Sequence, residues 1–292
     1  PLYLSGALTF NLPSYAFPGD TIRVEASGIT RPQGDSVVYT FKGKHFMPDS
    51  VVAQSVLFTM PDSLGTYTLT LTASAEGYTK SVTNRSTTII NRIFSVMVEG
   101  FIPSGDSITD PRDNKVYYYK RYGNLDWFIQ NLNWNGAGLT YSDTPALGHM
   151  LGGLYTWNQA ISGENAPPSP PQPASGHGAG PRGVCPEGWT IPTAEDWAGL
   201  ASAVSGKPVG FLDPWNGLGE VFSVDAKING NKLWKYHPDN EKTNISGWNA
   251  LPAGYALLSG GTFSGIGQTS FWWASCADGN QGYYRLIHYA VD

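Results

Sequence analysis

At 292 residues the chain is long enough for two domains, each able to bury a core of its own. Its 18 Lys and Arg against 23 Asp and Glu, net −5, exclude a general polyanion binder, which needs a basic surplus on one face. Charged residues are only 14% but hydrophobic ones 41%, which excludes a disordered chain, and 35 Gly with 21 Pro point to strands and turns over long helices.

No apolar run reaches the length of a membrane span. The start at Pro1 fits a trimmed secreted chain and a chosen boundary equally well. All Trp residues fall at or after Trp127, and residues 1–100 carry as many acidic as basic side chains, so the net negative charge lies in 101–292. The turn-rich stretch Gly100 to Asp106 marks the change, which predicts domains at 1–100 and 101–292.

Residues 1–100 read as an all-β sandwich. Alternating runs follow turn signals: Thr21 to Ala26 after Pro18-Gly19-Asp20, Val37 to Phe41 after Gly34-Asp35, Ser55 to Met60 before Pro61-Asp62, and Tyr67 to Ala73 after Gly65-Thr66. Ser81 to Ile90 and Ile93 to Val98 supply further strands. About seven strands in this length is the count of an immunoglobulin-like sandwich. In the second region Thr109 to Asn114 is turn chemistry leading into a strand over Lys115 to Tyr119. A short helix is predicted over 151–161. The Pro-rich stretch 162–183 reads as a surface loop. The clearest helix follows: Thr193 is a good N-cap with Asp196 three residues later, Trp197, Leu200, Ala201 and Val204 share one face, and Gly206 ends it. Strands are predicted over Gly254 to Leu258, Phe271 to Ser275 and Tyr283 to Tyr289. Gly260 to Gly267 reads as a hairpin loop.

The string Val184-Cys185-Pro186-Glu187-Gly188-Trp189-Thr190-Ile191-Pro192-Thr193-Ala194-Glu195-Asp196-Trp197 resembles the signature of the Fibrobacter succinogenes major paralogous domain family. Thr109 to Tyr117, Trp127 to Leu132, Gly153 to Trp157 and Gly247 to Tyr255 are similar to its other motifs in the same order, as are Phe271 to Ser275 and Tyr284-Arg285, so the likeness spans 108–289. The resemblance implies an α+β, C-type-lectin-like fold, also similar to formylglycine-generating enzymes, with no catalytic residues to carry over. It implies an extracytoplasmic place, at the outer-membrane surface or secreted, with a lipid anchor as the only membrane link. Gly65 to Thr72 resembles the late strands of PKD-type and other bacterial Ig-like repeats, which implies a spacer. The expected function is a cell-surface, non-catalytic binding or adhesion protein of a Bacteroidetes-type bacterium. The alternatives are an enzyme of the formylglycine-generating-enzyme-like fold with a cryptic site, and a structural subunit of a surface appendage.

Cys185 and Cys276 permit either one disulfide or two buried thiols. The five His residues are scattered without metal-ligand spacing, and Gln172-Pro173-Ala174, Trp215-Asn216-Gly217 and Trp248-Asn249-Ala250 lack the carboxylates of a Ca²⁺-lectin site. No metal or cofactor is expected. Asp225 to Asn231 reads as a plain turn. Trp127, Trp157, Trp189, Trp197 and Trp272 are expected in the core. Trp215, Trp234, Tyr236 and Trp248 sit in polar segments and, with Asn249, Asp278 and Asn280, are the expected binding face. The expected partner is a glycan or a host or cell-surface protein, and not a nucleic acid.

Overall fold

The alternation in Tyr67-Thr68-Leu69-Thr70-Leu71-Thr72-Ala73 places Leu69, Leu71 and Ala73 on one face of a strand, and all three are fully buried. The computed structural model describes residues 2–30, 36–93, 98–101, 103, 105–134, 136–140, 144–162, 180–257, 262–279 and 281–291. It is mostly β-sheet with a few short helices. The chain divides into two compact units, Pro1–Met97 and Val98–Asp292. No helix among the described residues is long and apolar enough to cross a membrane.

The first unit contains β1 (Leu2–Tyr3), β2 (Ser5–Phe10), β3 (Tyr15–Ala16), β4 (Thr21–Thr30), β5 (Val38–Lys42), β6 (Ser50–Val52), β7 (Ser55–Thr59), β8 (Gly65–Ser74), β9 (Tyr78–Thr79) and β10 (Ser81–Ile89). A five-stranded sheet runs β3-β10-β8-β5-β6, and a three-stranded sheet runs β2-β4-β7. Phe10, Val24 and Phe58 of the smaller sheet share one core with Phe41, Leu69 and Leu71 of the larger. The Phe41 ring meets Phe10 and Phe58 edge-on, each at 5.7 Å between ring centres. Strand β2 was not predicted, because its alternation is interrupted by an irregularity between Gly6 and Thr9. There the two backbones come so close that a Cβ on Gly6 would lie 2.0 Å from the Gly28 carbonyl oxygen. Most of the predicted strand over Ile93 to Val98 lies outside the described residues.

The second unit opens with an antiparallel sheet of β11 (Asp106–Thr109), β12 (Val116–Tyr122) and β13 (Leu125–Phe128). Helices α1 (Pro145–Leu151) and α2 (Trp157–Ser162) follow. The sequence predicts one short helix over 151–161; the structure has helix there only from Trp157, with Gly152 at a φ of +90° that no helix tolerates, and α1, which starts at Thr144 followed by Pro145, was not predicted. Residues 163–179 of the predicted Pro-rich loop lie outside the described residues. Helix α3 (Ala194–Ser205) packs against β12, and then come α4 (Leu218–Phe222) and the hairpin of β14 (Lys227–Ile228) and β15 (Asn231–Lys232). The expected plain turn is this hairpin, with Asn229 and Gly230 both at positive φ. The last sheet has the order β17-β16-β18-β19, from β16 (Ala253–Leu257), β17 (Thr262–Ile266), β18 (Thr269–Asp278) and β19 (Gln281–His288). Part of the expected hairpin loop over Gly260 to Gly267 is therefore strand: Thr262 to Ile266 pairs with β16, its glycines having masked the alternation.

The start of α3 follows the sequence closely. Thr193 Oγ1 accepts from the Asp196 N–H at 3.1 Å, and Asp196 Oδ2 accepts from the Thr193 N–H at 2.9 Å. Gly206 closes the helix at φ +71°. Trp197, Leu200 and Ala201 are buried as the periodicity requires, with Val204 half-buried. Thr193→Ala removes one bond of this capping box, and a loss of about 1 kcal/mol is expected in urea denaturation. A change below a few tenths would mean that the cap is redundant.

Candidate functional site

Aromatic residues from several segments of the second unit enclose a cavity of about 550 Å³, inside the roughly 300–1,000 Å³ span of small-molecule sites. Trp127 and Phe128 come from β13, Trp189 from the loop before α3, Trp197 from α3, Trp248 from the loop before β16, and Trp272 from β18. The Trp189 ring stacks on Phe128 at 4.0 Å and meets Tyr119 edge-on at 5.3 Å. Trp197 lies 5.0 Å from Trp127 and 5.8 Å from Trp248, and Trp248 lies 5.0 Å from Trp272.

Specific bonds hold these rings. Trp197 Nε1 donates to the Trp273 carbonyl, Trp272 Nε1 to Asn131 Oδ1 at 2.9 Å, and Trp273 Nε1 to the Tyr155 carbonyl at 2.8 Å. The loop carrying Trp248 is pinned by two asparagines in the left-handed region, Asn244 at φ +49° and Asn249 at φ +59°. Asn244 Nδ2 donates to Asn249 Oδ1 at 2.7 Å, and the Asn249 N–H donates back to Asn244 Oδ1. The indole N–H of Trp248 is different: it is buried and meets no acceptor among the described residues. A donor left so is uncommon in a folded protein and marks a wall where polar satisfaction is incomplete.

Polar groups also line the cavity. Arg121 and Asp126 form an ion pair at 2.6 Å beside the exposed Asn124, and the guanidinium holds the Asp126 carboxyl below its ordinary value. Cys185 also lines the cavity, and burial pushes its thiol up to about 12, so it is protonated at neutral pH. Cys276, half-buried, is likewise pushed up by burial. Both cysteines are free thiols, Cys185 buried and Cys276 half-buried. Among the described residues no three His, Cys, Asp or Glu side chains converge as metal ligands would.

The described residues of the expected binding face do not all converge on this cavity. Trp248 and Asn249 line the cavity and are themselves buried. Trp234 is core: it is 4% exposed and its Nε1 donates to the Ala250 carbonyl at 3.2 Å. Trp215 is half-buried and lies outside the cavity, Tyr236 is 75% exposed away from it, and Asp278 is exposed at the end of β18. Asn280 lies outside the described residues. Of the expected core residues, Trp127, Trp157 and Trp197 are buried, while Trp189 and Trp272 are only partly so. Trp189, Trp127 and Phe128 as cavity walls were missed. The signal was the signature string itself, which sets Trp189 and Trp197 on either side of one helix cap.

A family model described as the Fibrobacter succinogenes major domain matches residues 120–289. No curated protein and no solved structure matches the chain.

Proposed function

Since the chain belongs to the Fibrobacter succinogenes major domain family, we propose that it is a non-catalytic binding protein of a bacterial cell surface whose ligand is a glycan held in the tryptophan-lined cavity. In this reading the second unit is a C-type-lectin-like module, and the first is an Ig-like spacer that spends its apolar residues on its own core. The protein acts outside the cytoplasm of a Bacteroidetes-type bacterium, with a lipid anchor as its link to the outer membrane. The carrying observation is the cavity's composition: indole faces for the C–H faces of a sugar, with an ion pair and amides in its lining for hydroxyls. The protonated Cys185 thiol weighs against the enzymatic alternative, because nucleophilic or redox chemistry at cysteine draws on the thiolate.

The test is an array of mono- and oligosaccharides probed with the full chain, with Trp189→Ala and with Tyr236→Ala. Trp189→Ala removes a stacking face at the cavity wall and is expected to weaken binding about tenfold. Tyr236→Ala alters an exposed ring outside the cavity and is expected to bind as the parent does. A blank array, or loss in Tyr236→Ala with none in Trp189→Ala, overturns the reading.

A further inference from the structure

A second, smaller cavity of the same unit, about 160 Å³, lies among α3, α4 and β19. Its walls are mostly apolar: Leu200 and Phe222 are buried, and Leu286 and Val291, which also line it, are exposed. One charged side chain lines it, Arg285 of β19. The Arg285 guanidinium carbon sits 3.7 Å from the Trp215 ring centre and 5.5 Å from that of Phe211. Its Nη1 donates to the Phe211 carbonyl at 2.6 Å. No carboxylate among the described residues pairs with it, in contrast to Arg92, Arg112 and Arg121, each of which has an aspartate partner. The remaining guanidinium N–H groups have no hydrogen-bond partner among the described residues, and burial pulls the group's pKa below its ordinary value.

We propose that this cavity binds a small organic monocarboxylate whose apolar body is about the size of a benzene ring. An empty apolar cavity of roughly 150 Å³ is the size that takes one benzene. The planar fork of an arginine matches a carboxylate with two parallel hydrogen bonds, which the N–H groups of Arg285 without a partner among the described residues can make. The stacked Trp215 and the Phe211 carbonyl hold the guanidinium in place beforehand, which lowers the ordering cost of binding. The two cavities share Trp197, Trp248 and Trp272 as walls, yet the proposal does not rest on the glycan reading. Arg285 lines only the smaller cavity and Trp189 only the larger, so the two proposals stand or fall by different variants.

The experiment titrates benzoate, and benzyl alcohol as its neutral counterpart, into the full chain by ligand-observed NMR and calorimetry. Benzoate is expected to bind at least tenfold more tightly than the alcohol. Added NaCl is expected to weaken benzoate and leave the alcohol unchanged. Arg285→Met is expected to abolish the preference, Arg285→Lys to keep part of it, and Trp189→Ala to leave it intact. Equal affinity for the two probes, no binding of either, or a preference that survives Arg285→Met overturns the proposal. If Arg285→Met does not fold, the salt dependence of the parent decides.

Discussion

Trp197→Ala is expected to lower the stability of the second unit by about 3–5 kcal/mol, the cost of removing a large aromatic from a packed interior. Trp197 is 3% exposed and stands at the centre of the ring cluster, touching Trp127, Trp215 and Trp248. It also lines both cavities, so its removal merges them into one larger void that the pinned neighbouring rings cannot close. Its Nε1 bond to the Trp273 carbonyl ties α3 to β18, and that carbonyl loses its donor as well. In thermal denaturation the loss corresponds to a fall of about 10 °C for a unit of this length. A loss under about 1 kcal/mol would mean that the cluster is loose, and the cavity walls would then be poorly placed to hold any ligand.

The buried pair of Asp110 and Arg112 governs the second large effect. Asp110 is fully buried, and both its oxygens accept from Arg112, with Oδ2 to Nη2 at 2.7 Å and Oδ1 to Nε at 2.9 Å. Arg112 Nη2 also donates to the Val184 carbonyl, and its guanidinium lies 4.1 Å from the Trp134 ring centre. The turn before β12 is thereby fastened to the segment carrying Cys185. Asp110→Asn leaves a cation half out of water without its counter-charge, and a loss of about 3 kcal/mol at pH 7 is expected. The hydrogen bond from Arg112 holds the Asp110 carboxyl below its ordinary value, in spite of burial. A lowered folded value gives stability that is present above the unfolded carboxylate pKa of about 3.9 and is lost as pH falls through the folded one. Urea midpoints at pH 7, 5, 4 and 3 should therefore show the parent and Asp110→Asn converging at the acid end. A gap that stays constant with pH would mean that the charge of Asp110 is not its source.

What the sequence determined by itself was whatever depends on neighbours a few residues apart. The capping box of Thr193 and Asp196 is closed by groups three residues apart, so it could be read directly, as could the buried face of α3. The alternation of β8 and the turn at Asp110 to Asn114 are local in the same way. The signature around Cys185 to Trp197, with the other motifs in the same order, pointed to the family whose model matches residues 120–289. Interrupted patterns were not legible: β2 is broken near Gly6, β17 is diluted by glycine, and the span holding α1 and α2 is cut at Gly152. The tertiary structure alone decided which tryptophans form walls and which form core. Trp234 sits in a polar segment yet is buried, because the Ala250 carbonyl accepts its indole N–H. Trp189 looks like core by its surroundings in sequence, yet Phe128 of β13 draws it into a stack at the edge of a cavity. Trp272 is oriented by Asn131, 141 residues earlier in the chain. Side-chain position in such a cluster is set by packing and hydrogen bonds between distant segments, and composition within a window of sequence carries no record of those partners.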